Sequence, residues 1–147
     1  MHLKLGEGLL QETFATVRAC GHARRECVLY WAGPIREPSL VDRIIHPDHI
    51  GEPGYYEVEQ HWLNQIWFRL RDEQIIIHMQ VHTHGGPAFH SRLDDDYPFL
   101  QTAGFGSLVI PHYGFGDVSL TGTYLAELAD TGTWRELDPH HSLEQSV

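Results

Sequence analysis

Ile75-Ile76-Ile77-His78-Met79-Gln80-Val81-His82-Thr83-His84, followed by Gly85-Gly86-Pro87-Ala88-Phe89-His90 and then Ser91-Arg92-Leu93-Asp94, decides how this chain is read. The nearly continuous apolar run predicts a central strand over Ile75 to His82, buried on both faces. Residues two apart on a strand point the same way, so the imidazoles of His82 and His84 can hold one metal ion. An aspartate from the next turn closes the site, which is the layout of a catalytic zinc centre. Ser91-x-x-Asp94 also reads as a helix start, with Ser91 as cap and Asp94 at the third position. The two readings agree, because a rigid helix start aims a carboxylate well.

Outward from this stretch, Val58 to Arg71 predicts the longest helix, with Trp62, Ile66 and Leu70 in one stripe and Leu63 and Trp67 widening it. Glu7 to Ala19 predicts another, on the spacing of Leu10, Phe14 and Val17, ended by Gly21. Glu26-Cys27-Val28-Leu29-Tyr30-Trp31-Ala32 is a strand stopped by Gly33-Pro34, and Val41 to Ile45 is a second. Pro47 to Gly54 predicts a surface loop, and Ser107 to Pro111 a short buried strand. Val118 to Glu127 and Thr133 to Leu137 form a closing antiparallel pair. One domain over residues 1–139 and a mobile tail over 140–147 are expected.

With 147 residues, 41% of them hydrophobic, the chain can bury a substantial core. A formal net charge of -10 argues against general nucleic-acid binding, which needs clustered Lys and Arg to neutralise phosphates. No apolar run is long enough for a membrane span, and Met1 to Glu7 lacks the features of a signal peptide, so a cytoplasmic protein is expected. Cys20 and Cys27 are then expected to remain thiols used for packing.

Several families that use His-x-His fail on missing parts. Gly85, Gly86 and Pro87 exclude the HxHxDH pattern of metallo-β-lactamases, the Cys-x-x-Cys of zinc deaminases is absent, and Gly86 stands where histidine-triad hydrolases need a third histidine. The arrangement does resemble the JAMM metalloprotease motif of the MPN domain. His82-Thr83-His84, Ser91 and Asp94 carry the resemblance, with Glu26 opening an early apolar strand that ends in glycine. Three departures stand out. Gly85 replaces the usual proline after the second histidine, the loop from His84 to Ser91 is one residue shorter than in the common eukaryotic form, and Leu29 stands where many members have glycine.

The resemblance implies a three-layer α/β fold, a curved mixed β-sheet flanked by helices and similar to the cytidine-deaminase fold. It implies one Zn²⁺ per chain on His82, His84 and Asp94, with a water in the fourth position. Glu26 would be the general base that passes a proton to the leaving amine, and Ser91 the donor to the developing oxyanion. The implied activity is that of a zinc isopeptidase or peptidase cleaving after the C-terminal glycine of a ubiquitin-like protein. Its compact form is similar to the bacterial branch, whose members accompany activating and conjugating enzymes, including those of antiviral defence, or process sulfur-carrier proteins. The alternatives are a zinc peptidase that trims a sulfur-carrier tail and a non-catalytic MPN interaction subunit. A strand edge beside the histidines would take the substrate tail by strand addition, and specificity would reside in Pro34 to Gly54 and Tyr97 to Gly106.

Other tempting residues receive plainer readings. Asp95 and Asp96 suit an acidic helix start without any metal. His46-Pro47-Asp48-His49 is read as a Pro-bearing surface turn rather than a second metal site. His140-His141 falls in the tail, and the sequence gives His90 no role beyond its place next to Ser91.

Overall fold

The structure, a computed structural model, describes residues 1–96 and 98–146. Tyr97, at the head of an expected specificity loop, and Val147, the last tail residue, lie outside the described residues. In chain order the elements are β1 (Leu3–Leu5), α1 (Leu9–Gly21), β2 (Val28–Pro34), β3 (Leu40–Val41), β4 (Arg43–Ile45), β5 (His49–Glu52), β6 (Tyr55–Val58) and α2 (Gln60–Glu73). Then come β7 (Ile75–Thr83), α3 (Arg92–Asp96), β8 (Gly106–Ile110), β9 (Tyr124–Leu128), β10 (Trp134–Leu137), α4 (Pro139–Ser142) and β11 (Leu143–Gln145). Six strands form the central sheet in the order β10-β9-β8-β7-β2-β4, mixed because β7 and β8 run parallel while the other neighbours are antiparallel.

Alternation along β2 builds the three layers. Leu29 and Trp31 join Leu10, Phe14 and Val17 of α1, whereas Val28, Tyr30 and Ala32 join Ile66 and Leu70 of α2 on the opposite face. Trp31 is fully buried, and its indole N–H donates to Thr13 Oγ1 at 2.8 Å, so the polar edge of this ring is satisfied inside the core. The predicted α2 stripe is narrower than expected. Ile66 and Leu70 are buried, but Trp67 is 48% exposed and stacks on Phe99 at 5.5 Å.

A bulge in β7 determines which layer receives the histidines. Trp31 pairs with Met79 and Ala32 with Ile77, leaving His78 as the extra residue. Strand parity therefore changes there. Ile75 and Ile77 face α2, Met79 and Val81 face α1, and His82 falls on the α2 side beside Tyr56. The expectation of burial on both faces holds for the second half of β7, while Ile76 near its start is 42% exposed.

Four other expectations are corrected. Pro47 to Gly54 is not a plain loop, because His49–Glu52 pairs with Tyr55–Val58 as an antiparallel hairpin. Val41 to Ile45 is two strands, since Leu40–Val41 pairs with β1 and Arg43–Ile45 with β2, the chain changing sheets at Asp42. The tail expected to be mobile is built into the fold. Asp138 caps α4 by accepting from the His140 N–H, and β11 runs parallel to β1 with Leu143 buried. Finally, Cys20 and Cys27, expected as separate thiols, are bonded to each other with Cα atoms 5.7 Å apart.

Candidate metal centre

Both histidines stand on backbone that is held from two sides. Thr83 N–H donates to the Cys27 carbonyl at 3.1 Å and Thr83 Oγ1 accepts from Cys27 N–H at 2.9 Å, tying β7 to the residue after Glu26. His84 N–H donates to the Ile110 carbonyl and its own carbonyl accepts from Tyr113 N–H, at 3.0 and 2.9 Å, which extends the ladder past the end of β7. The shared orientation expected for His82 and His84 follows from this extended backbone.

Asp94 reaches them from the start of α3. Ser91 N–H donates to Asp94 Oδ2 at 2.7 Å while Asp94 N–H donates to Ser91 Oγ at 3.1 Å, a reciprocal capping box. The same carboxylate places Oδ1 3.1 Å from His82 Nε2 and Oδ2 3.3 Å from His84 Nε2. All three side chains are buried, and their ligand atoms lie within 4.8 Å of one another. Neither ring nitrogen of His82 has a hydrogen-bond partner among the described residues, because the 3.1 Å approach to Asp94 is not aligned as a hydrogen bond. Leaving a buried imidazole unsatisfied is costly, and an ion among the two Nε2 atoms and the carboxylate would satisfy one of the two His82 nitrogens. The donor set fits a transition-metal dication with an open position. Burial opposes ionisation of Asp94, but the imidazoles of His82 and His84 and the Ser91 N–H hold its carboxyl far below the usual carboxylate range.

Glu26 is 6% exposed and precedes β2, opposite the end of β7. Burial pushes its carboxyl up to about 7, with His84 pulling it down and Asp94 adding to the rise. The β5–β6 hairpin lies against this residue. Glu26 N–H donates to the Glu52 carbonyl at 3.1 Å, and a Cβ on Gly51 would stand 2.2 Å from the Glu26 carbonyl oxygen, so a side chain there would push the hairpin away. Ser91 stands one hydrogen bond from Asp94, half-buried.

Sequence reasoning missed three residues beside the centre. Tyr56, carried by the unforeseen hairpin, packs on the His82 ring with centroids 5.3 Å apart; the alternating Tyr55-Tyr56-Glu57-Val58 was the available signal. Phe89 is half-exposed and meets His84 edge-on at 4.6 Å. His90, left without a role, pairs with the Asp95 carboxylate through Nδ1 and with Ser107 Oγ through Nε2 at 3.0 Å, so it anchors α3 to β8. Asp95 therefore has a partner as well as the helix dipole expected for it.

The departures from the motif also have local causes. At Gly85 a Cβ would stand 2.7 Å from the Tyr113 hydroxyl oxygen, so a larger residue would have to displace a ring whose hydroxyl donates to the Arg24 carbonyl at 3.0 Å. Leu29 fills the α1-side core, fully buried. The expected free strand edge beside His82 is absent, since β7 is flanked by β8 and β2; the nearest short sheet is the β5–β6 hairpin.

No protein-family model matches the chain. A probable metalloprotease of Sinorhizobium fredii is 32% identical over 79 residues, which cover 54% of this chain and 47% of that protein. The chain thus spans about half the length of this curated relative. Among solved structures, a solution structure of a protein from Desulfitobacterium hafniense aligns with a TM-score of 0.69 at 13% identity, covering 98% of this chain and 92% of that one. A crystal structure of a JAB1/MPN domain protein from Archaeoglobus fulgidus aligns with a TM-score of 0.56 at 14% identity, covering 99% and 98%. A solution structure of a protein from Salinibacter ruber gives 0.64 at 12% identity, covering 98% and 92%. The fold is that of a JAB1/MPN domain, the mixed α/β arrangement implied by the motif. No helix among the described residues is long and apolar enough to cross a membrane.

Proposed function

We propose that the chain is a zinc metalloprotease of the JAMM type that hydrolyses the peptide or isopeptide bond after the C-terminal glycine of a ubiquitin-like protein. The observation that carries this reading is the buried convergence of His82, His84 and Asp94, with His82 otherwise unsatisfied, beside a buried carboxyl on Glu26. The similarity to a probable metalloprotease and to a JAB1/MPN domain supports it. His82, His84 and Asp94 would hold the zinc, which when bound acts as a Lewis acid on the scissile carbonyl and makes a water more acidic.

The remaining chemistry belongs to the chain. Glu26, with its carboxyl poised near neutrality, accepts the proton of the attacking water and returns it to the departing amine. Ser91 Oγ accepts from Asp94 N–H, which leaves its own hydroxyl proton free to donate to the oxyanion. The hairpin offers backbone for an extended tail, and Tyr56 and Phe89 narrow the approach to the histidines, favouring a glycine-ended chain. We place this activity in the cytoplasm of a bacterium, alongside activating and conjugating enzymes, with no nucleic-acid or membrane partner. Retention of Glu26, Ser91 and all three ligands weighs against a non-catalytic interaction subunit.

The test is cleavage of a linear fusion and of a lysine conjugate of a ubiquitin-like protein. Both should stop with a zinc chelator and continue with a thiol-blocking reagent. Chelator-resistant, thiol-sensitive cleavage would falsify the zinc reading. Trimming of free carrier tails without any action on lysine conjugates would assign the chain to sulfur-carrier processing instead.

A further inference from the structure

A second cluster of metal-ligating side chains lies outside the centre described above. Cys20 ends in the last turn of α1, Cys27 immediately precedes β2, His46 follows β4 and His49 opens β5. One ligand atom from each falls within 4.8 Å of the other three. His46 Nε2 stands 3.4 Å from Cys27 Sγ and His49 Nε2 stands 3.8 Å from Cys20 Sγ. With zinc–sulfur and zinc–nitrogen distances of about 2.3 and 2.0–2.1 Å, the sulfur-to-nitrogen edge of a tetrahedral site comes to about 3.5 Å. The two observed separations lie close to that edge.

We propose that, in the reduced chain, Cys20, Cys27, His46 and His49 form a second, structural zinc site. The orientation of His49 supports this independently of the sulfurs. Its Nδ1 lies 3.1 Å from the Pro47 carbonyl oxygen, a partner that only accepts, so Nδ1 carries the proton and Nε2 presents its lone pair to the cluster. A backbone carbonyl behind the second ring nitrogen is the usual way a ligating histidine is held in the right tautomer. A disulfide alone gives no reason for an imidazole nitrogen at each sulfur, because bonded sulfur is a weak acceptor. Pro47 stands in the short connection between β4 and β5 that carries both rings, their centroids 5.1 Å apart.

The bonded and metal-bound forms are alternative states of the same four residues. A dithiol reductant supplies two electrons and two protons to open the sulfur–sulfur bond and is itself oxidised to a disulfide. Zinc then displaces both protons as the thiolates coordinate. The ligand set has no open position, so the site is structural rather than catalytic. It fastens the end of α1 and the start of β2 to the strand that leads into the hairpin.

Thiolate coordination separates this site from the one on His82, His84 and Asp94, which contains no sulfur. Full-length protein, reduced and kept free of oxygen, should bind two zinc ions, and His82→Ala should bind one. On replacing zinc with cobalt, wild type and His82→Ala should both show a near-ultraviolet thiolate-to-cobalt charge-transfer band. The band should disappear in Cys20→Ser with Cys27→Ser and weaken in His49→Ala. Reduced wild type that binds cobalt without a thiolate band, or sulfurs that stay bonded in excess dithiol, overturns the proposal. The wild-type and His82→Ala spectra decide it even if the cysteine variant fails to fold.

Discussion

Glu26→Gln should separate the fold's preference from the reaction's requirement. In the unfolded chain Glu26 ionises with its ordinary value of 4.5, whereas burial in the folded chain raises this to about 7. Below the unfolded value both states hold the proton, and Glu26 costs nothing. As pH rises toward and through the folded value, the unfolded chain ionises freely while the folded chain pays to do so, and stability is lost. The interval between the two values is equivalent to about 3 kcal/mol, which partial solvent access at the cleft reduces to about 1–2 kcal/mol. Glutamine keeps the shape and carries no charge at any pH. Urea denaturation of chelator-treated protein should therefore show Glu26→Gln equal to wild type near about pH 4 and more stable by about 1–2 kcal/mol above about pH 8. The same substitution should lower turnover of the metal-loaded protein by roughly 10² to 10⁴ while metal content is retained. Identical denaturation curves for the two proteins at both pH values would show that Glu26 is not held in a desolvated place, and the argument for it as a poised base would fail.

Asp94→Asn should release metal, because its carboxylate is the one that reaches both imidazoles, while Asp95→Asn should retain it, since Asp95 bonds to His90 instead; metal analysis of the dialysed variants checks the register, and loss in Asp95→Asn alone would refute it. Gly85→Ala should destabilise the fold by about 1–3 kcal/mol through the contact with Tyr113, read in urea, and a neutral result would show that the ring moves aside freely.

The features legible in the sequence were those written in local chemistry. His82-x-His84 needs only the two-residue period of a strand, and Ser91-x-x-Asp94 only the geometry of a capping box, so both appear as expected. Features that depend on distant partners were hidden. The hairpin was obscured by Pro47, Pro53 and Gly54, which announce turns without revealing that His49–Glu52 and Tyr55–Val58 pair across them. Leu143 stands between polar Ser142 and Glu144, and its burial depends on β1, which supplies the edge that β11 joins. Cys20 and His49 are remote in sequence and meet only because α1 ends beside the hairpin.

The extra residue at His78 allows one strand to serve as two. Ile77 and His82 are five positions apart, an odd count that plain alternation would set on opposite faces, and the unmatched residue brings both to the α2 side. An in-frame loss of that residue's single codon would therefore leave a plain ladder, with Ile77 still opposite Ala32 and Met79 still opposite Trp31, and both halves of the strand would keep their helices. The unmatched residue is slack: upstream of the first ligand, it is one position that the strand can lose without changing the aim of the histidines.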